Sequence, residues 1–169
     1  MSLSIRTSLS HPLCIDPIDV PSGGTLGLTL CPGKQGRSSM GQYVWQRDLP
    51  LDVTRVAAWH PDLWLCVMAP DELAAWKVAG LPFAASTICP FVLLPVTDLH
   101  APGKRFAARW EKVGPAVRET LRRGGRVLVQ CRGGVGRAGT VAAQVLIEQG
   151  VQVERAVAMV RAARPGAIE

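Results

Sequence analysis

Residues 126–146, RVLVQCRGGVGRAGTVAAQVL, restrict the fold more than any other part of the chain. An apolar run leads to Cys131, glycines fill three of the next five positions, Arg137 follows, and apolar residues then recur at helical spacing. The run, RVLVQ, has the character of a buried strand, and the spacing beyond it, TVAAQVLIEQG, predicts a helix ended by Gly150. A strand, a glycine loop and a helix in that order turn backbone amides inward, where their dipoles add to those of the helix N-terminus. Such a loop holds an anion. Gly133, Gly134 and Gly136 permit positive φ and close backbone approach, with Arg132 and Val135 completing the interval. Arg137 can fork two hydrogen bonds to one tetrahedral oxyanion. A thiol at the floor of that positive bowl is placed to attack what the bowl binds.

Strands alternating with helices continue through the chain. GTLGLTLCPG (24–33) reads as a strand ending at a Pro-Gly turn, LWLCVM (63–68) and FVLLPV (91–96) as apolar strands. Asp52 is expected to cap a short helix running through Trp59, and PDELAAWKVAG to form a helix from Pro70 and Asp71 to Gly80. Phe106, Trp110, Val113, Val117 and Leu121 give the Lys104–Arg123 segment one apolar helical face, with a kink expected at Pro115. Val153, Val157 and Val160 mark a last helix. The fold class that follows is α/β, a central, mostly parallel sheet flanked by helices. Residues 1–23, rich in Ser, Pro and Gly, are expected to be irregular, and 24–169 to form a single domain. CPGKQGRSS lacks the order of a nucleotide-binding GxxxxGK[ST] loop and reads as a turn.

Charge and cysteine usage narrow the partners. A net charge of +6 favours anionic ones, but the basic residues lie in scattered pairs (Lys104-Arg105, Arg122-Arg123) without interleaved aromatics, so nucleic acid is not expected. No apolar stretch approaches the ~18 residues of a membrane span, and no secretory signal opens the sequence, so no membrane association is expected. Five widely spaced cysteines without a CxxC pair suit a reducing cytoplasm and make neither a disulfide framework nor a metal site. No cofactor is called for, and a monomer is expected.

CRGGVGRAGT resembles the signature of the cysteine-dependent protein tyrosine and dual-specificity phosphatases, most closely the branch that includes the kinase-associated phosphatase and its bacterial relatives. LGLTLCPGK, RDLPLDVTRV, DELAAWKVAG and LLPVTDLHAPG occur in the order of that branch, extending the resemblance over roughly residues 24–168. It implies phosphate-monoester hydrolysis on a phosphorylated protein, or a small phosphate ester, through a cysteinyl-phosphate. Cys131 would be the nucleophile, Arg137 and the loop of residues 132–136 would hold the phosphate, and Asp98 would be the general acid, without metal. His100 is the competing acid; Asp62 and Asp71 read as turn and helix-start residues.

Three departures from the family pattern matter. Gln130 replaces the usual histidine, removing a charge beside the thiol, and Ala138 replaces the hydroxyl that eases sulfur departure in the second step. Thr140 lies two residues on as possible support for that step. The sequence stops at RPGAIE, about where relatives begin a final helix. Together these point to slow hydrolysis of a phospho-enzyme. Arg132 reads as a rim arginine or an extra attraction for an acidic substrate, Cys66 or Cys89 as a potential disulfide partner of Cys131, and the five tryptophans as core. Two alternatives are a phosphate-binding or substrate-trapping domain of the same fold and a rhodanese-like sulfurtransferase.

Overall fold

A computed structural model describes residues 3–168. Five strands form the main sheet in the order β2 (Asp16–Asp19), β3 (Thr25–Thr29), β8 (Arg126–Gln130), β6 (Leu63–Cys66) and β7 (Phe91–Leu93). All neighbours are parallel except β2, which runs antiparallel to β3 at the edge. The expected mostly parallel sheet flanked by helices is therefore present. Residues of β8 alternate between its two faces, as a strand's pleat requires. Val127 and Val129 pack in the core with α4 (Lys104–Arg122), α5 (Gly136–Glu148) and α6 (Val153–Ala163). Leu128 packs on the opposite side with α1 (Leu49–Trp59), α2 (Pro70–Ala75) and α3 (Leu81–Ser86).

The strand between two parallel neighbours and two helical layers is the one that carries Cys131 at its end. Its apolar continuity follows directly from that position. In α4, Phe106, Trp110, Val117 and Leu121 are buried, and Pro115 lies inside the helix. In α6, Ala156 and Val160 face the core, whereas Val153 is exposed.

Several expectations are corrected. Residues 1–23 are not wholly irregular. β2 pairs with β3, and β1 (Ser4–Thr7) pairs in parallel with β5 (Tyr43–Gln46), whose other neighbour is β4 (Gln35–Arg37). The strands of this second sheet are only three or four residues long and half exposed, too short to show an apolar alternation. Pro17 is tolerated because β2 is an edge strand. The helix predicted from Pro70 to Gly80 ends at Ala75; Lys77 takes a left-handed φ of 59°, and Gly80 instead precedes α3.

Asp52 does not cap α1. Asp48 does, its Oδ1 accepting the Leu51 amide at 2.7 Å. Asp52 is buried one turn into the helix, receiving Nε and Nη2 of the buried Arg47 at 2.8 Å each and the Gly33 amide at 2.8 Å. The Arg47 Nη1 donates to the His11 carbonyl, so one ion pair joins the N-terminal segment, the turn after β3 and α1. Removing one partner strands a buried charge. Asp52→Ala is expected to lose about 3–5 kcal/mol of unfolding free energy, measured by urea denaturation.

Candidate active site

The thiol of Cys131 sits where β8 leaves the sheet, buried, with its Sγ receiving the Gly134 amide at 3.1 Å. Gly134 has a φ of +69°, and a Cβ there would lie 2.4 Å from the Thr29 carbonyl carbon on the neighbouring strand. Only glycine fits. The expectation that all three loop glycines exploit positive φ is narrowed by this geometry. Gly133 has room for a Cβ, its nearest neighbour being 3.9 Å away, and Gly136 is simply the first residue of α5. That helix begins earlier than its apolar pattern, so its unpaired first-turn amides belong to the loop itself.

Arg137 is buried and spends much of its hydrogen-bonding capacity on protein. Its Nη1 donates to Glu72 Oε2 at 2.7 Å and to the Val96 carbonyl at 2.9 Å, and Nη2 donates to Glu72 Oε1 at 2.7 Å. Nε has no acceptor among the described residues. The fork expected to hold the oxyanion is thus taken by Glu72, and the Nε–Nη2 edge is the one left to a ligand. Glu72 was not singled out in the sequence, where Asp71 beside it reads as the helix start. The usable signal was an acid in the first turn of a helix following a parallel strand, at the sheet edge where such folds bind ligands.

Asp98 comes to the same place from the loop after β7. Its carboxylate lies 2.8 Å from Arg132 Nη2 and 3.3 Å from Arg137 Nη2. His100 is held aside, its Nδ1 2.8 Å from the Asp98 carbonyl oxygen. Arg132 is therefore tied to Asp98 across the cleft mouth rather than free at the rim. Asp62 caps the approach to β8, its carboxylate accepting the Arg126 amide at 2.8 Å. Gln130 is fully buried between Trp64, whose Nε1 donates to Gln130 Oε1 at 3.3 Å, and Met68. Ala138 is buried beside the loop, and Thr140 lines the cleft while its hydroxyl donates to the Gly136 carbonyl.

The cleft above the loop has a volume of about 550 Å³. Tyr43, Trp45 and Met40 of the second sheet and its connecting turn form one wall with Trp76, and Asp98, Leu99 and His100 form the opposite rim. Trp45 and Trp76 thus line the site, which corrects their assignment to the core alone; Trp64 and Trp110 are buried as expected. All five cysteines are free thiols, and neither Cys66 nor Cys89 is bonded to Cys131. Burial pushes the Cys66 thiol up to about 12 and the Cys89 thiol up to about 11, so both resist ionisation. Among the described residues no group of three or more His, Cys, Asp or Glu side chains could hold a metal ion.

The glycine geometry makes a paired test. Gly134→Ala is expected to lower both turnover of para-nitrophenyl phosphate and affinity for tungstate by at least about 100-fold, because backbone strain and the clash with Thr29 carry that amide out of line with the bowl. Gly133→Ala should stay within a few-fold of the parent in both assays.

Comparison with known proteins places these features. Residues 77–169, more than half of the chain, match the family model described as PTP-SAK, Swiss Army Knife protein, DSP-PTPase phosphatase domain. The fold is similar to kinase associated phosphatase (KAP), in a form with the catalytic-site cysteine changed to serine, at a TM-score of 0.78 and 21% identity, covering 94% of this chain and 88% of that one. It is also similar to Tk-PTP in its active form (TM-score 0.61, 22% identity, 91% and 88% covered) and to human DUSP28 (0.55, 22%, 92% and 86%). At these identities the likenesses establish the fold. No curated protein sequence matches the chain. With Cys131, the amide loop and Arg137 at the end of the central strand of that fold, the chain belongs to the DSP-PTPase phosphatase domain family of Swiss Army Knife proteins.

Proposed function

We propose that the chain hydrolyses phosphate monoesters, with phosphotyrosine or dual-specificity protein substrates as the leading class, through a cysteinyl-phosphate on Cys131. The observation that carries this reading is a donor on the sulfur with a second donor left over in the same cleft. The Gly134 amide donates to Cys131 Sγ, and Arg137, which lines that cleft, keeps an Nε with no acceptor among the described residues. In the first step the Cys131 thiolate attacks phosphorus and the P–O ester bond breaks. The loop amides and the Nε–Nη2 edge of Arg137 take the equatorial oxygens, and Asp98 protonates the departing oxygen. In the second step water attacks phosphorus, Asp98 takes its proton, and the S–P bond breaks to regenerate the thiolate and release phosphate.

Substrate entry displaces the Asp98 carboxylate from Arg137, which frees Nη2 for the phosphate. Arg132 then remains as the partner that keeps Asp98 over the loop. The aromatic wall of Tyr43, Trp45 and Trp76 suits the ring of an aryl phosphate. Five free thiols fit a reducing cytoplasm, the proposed location. Among the described residues no helix is long and apolar enough to cross a membrane.

Para-nitrophenyl phosphate turnover by the parent and its absence in Cys131→Ser are the decisive result; an equally active serine variant overturns the nucleophile. Asp98→Asn is expected to lose about 10²–10⁴-fold in kcat on phenyl phosphate, whose leaving group needs the proton, and much less on para-nitrophenyl phosphate. Gln130 and Ala138 leave the second step slow. A pre-steady-state burst of nitrophenol should precede a slower steady state, and Ala138→Ser should raise the steady-state rate with little change in the burst.

A further inference from the structure

Four cations line the cleft: Lys34, Arg132, Arg137 and Arg164. Arg132 is paired with Asp98, Arg137 with Glu72, and Arg164 with Asp16. Lys34 has no carboxylate partner among the described residues, although it is 4% exposed. Its ammonium donates to the Arg132 carbonyl at 2.9 Å and lies 4.5 Å from the centre of the Trp45 ring. A buried ammonium without a counter-ion is costly, and a chain of this size has no structural need of one at the turn after β3.

The acceptor of Lys34 explains its position. The Arg132 carbonyl also receives the Cys31 amide at 3.2 Å, so that oxygen is held away from the bowl by two donors. In a planar trans peptide the C=O and the following N–H point in opposite directions. Fixing the Arg132 carbonyl outward therefore aims the Gly133 amide inward. Arg164 does the same one peptide further on. Its Nη2 donates to the Gly133 carbonyl at 2.9 Å, and the amide of that peptide, from Gly134, does point at Cys131 Sγ.

We propose that Lys34 and Arg164 are positioning residues that grip successive carbonyls of the phosphate-binding loop, turning the Gly133 and Gly134 amides onto the oxyanion, and that Lys34 adds a cleft charge that no carboxylate among the described residues offsets. This takes the place of the charge that Gln130 does not supply. It rests on the oxyanion-binding part of the proposed function and not on turnover.

Burial brings the Lys34 ammonium down to about 8. The groups facing it are Cys31, whose thiol burial pushes well above its ordinary value, Cys131, Arg47 locked to Asp52, and Arg132. A bound anion favours the charged amine, so oxyanion affinity must fall as pH rises through about 8. Stability moves in the opposite direction, rising with pH from about 8 towards the unfolded value of 10.5. The folded value lies below that of the unfolded chain, so the buried charge is a cost at pH 7 that disappears as the folded lysine loses its proton.

The test is tungstate binding by calorimetry from pH 7.5 to 9.5 in a Cys131→Ser background, which takes the thiol out of the comparison. Added Lys34→Met should weaken binding at pH 7.5 by about tenfold or more, the scale of one charge-assisted hydrogen bond. Its curve should lack the fall through pH 8. Lys34→Arg should keep binding into the alkaline range. The Lys34→Met Tm at pH 7 should be no lower than the parent's, whereas a purely structural lysine would leave a lower Tm and unchanged affinity. Arg164→Gln should also weaken tungstate binding, without altering the pH dependence. Equal affinity of parent and Lys34→Met across the range, or a parent that does not bind tungstate, overturns the inference. A parent that binds tungstate as described while the Cys131 enzyme turns over no phosphate ester leaves the inference standing and overturns only the proposed reaction.

Discussion

The guanidinium of Arg137 is the point on which the site depends. It reaches from the first turn of α5 to Glu72 at the start of α2 and to the carbonyl that follows β7 at Val96. Three segments that follow different strands are thereby brought to one side of the thiol. A bidentate carboxylate fixes the plane of the guanidinium as well as its place, and so determines which edge is left for a ligand. Without Glu72 that edge could rotate, and Asp98 would lose the second arginine that draws it over the loop.

Around this pairing the molecule divides its labour between apolar and polar contacts. The central sheet is rigid because both of its faces are covered, and it delivers the loop at a fixed height. The second sheet carries little core of its own and depends on the Arg47–Asp52 pair to sit against the rest. That pair orders the Gly33–Lys34 turn as well, through the Gly33 amide on Asp52 and the Arg47 amide on the Lys34 carbonyl. A buried ion pair remote from the thiol thus helps to place a cation that faces it.

What could be read from the sequence follows the same division. β6 and β8 are legible because burial on both faces writes itself as an apolar run, β3 because Leu alternates with Gly and Thr ahead of a Pro-Gly turn, and α4 because its apolar residues recur at three and four. Cys131, Arg137 and Asp98 line one cleft. The strands Ser4–Thr7, Gln35–Arg37 and Tyr43–Gln46 were not legible, since half-exposed strands of three or four residues are too short to show a period. Nor were Glu72, Lys34 and Arg164, whose roles consist of contacts between distant segments. A charged residue in a helix turn or a Pro-Gly turn reads as solvated surface until the fold shows what it touches. Trp45 and Trp76 misled for the opposite reason: an aromatic side chain reads as core whether it faces the interior or a cleft.

The position of β8 has one more consequence. Its two neighbours, β3 and β6, both lie before residue 77, whereas the part of the chain that carries the family signature begins there. The half that bears Cys131 therefore contains the loop but neither strand that flanks it. Pairing Thr25 with Arg126 closes a loop of about 100 residues, the kind of non-local contact that slows folding. A nascent or partly unfolded chain holds Cys131 without its bowl, which exists only once residues 25–29 and 126–130 have paired.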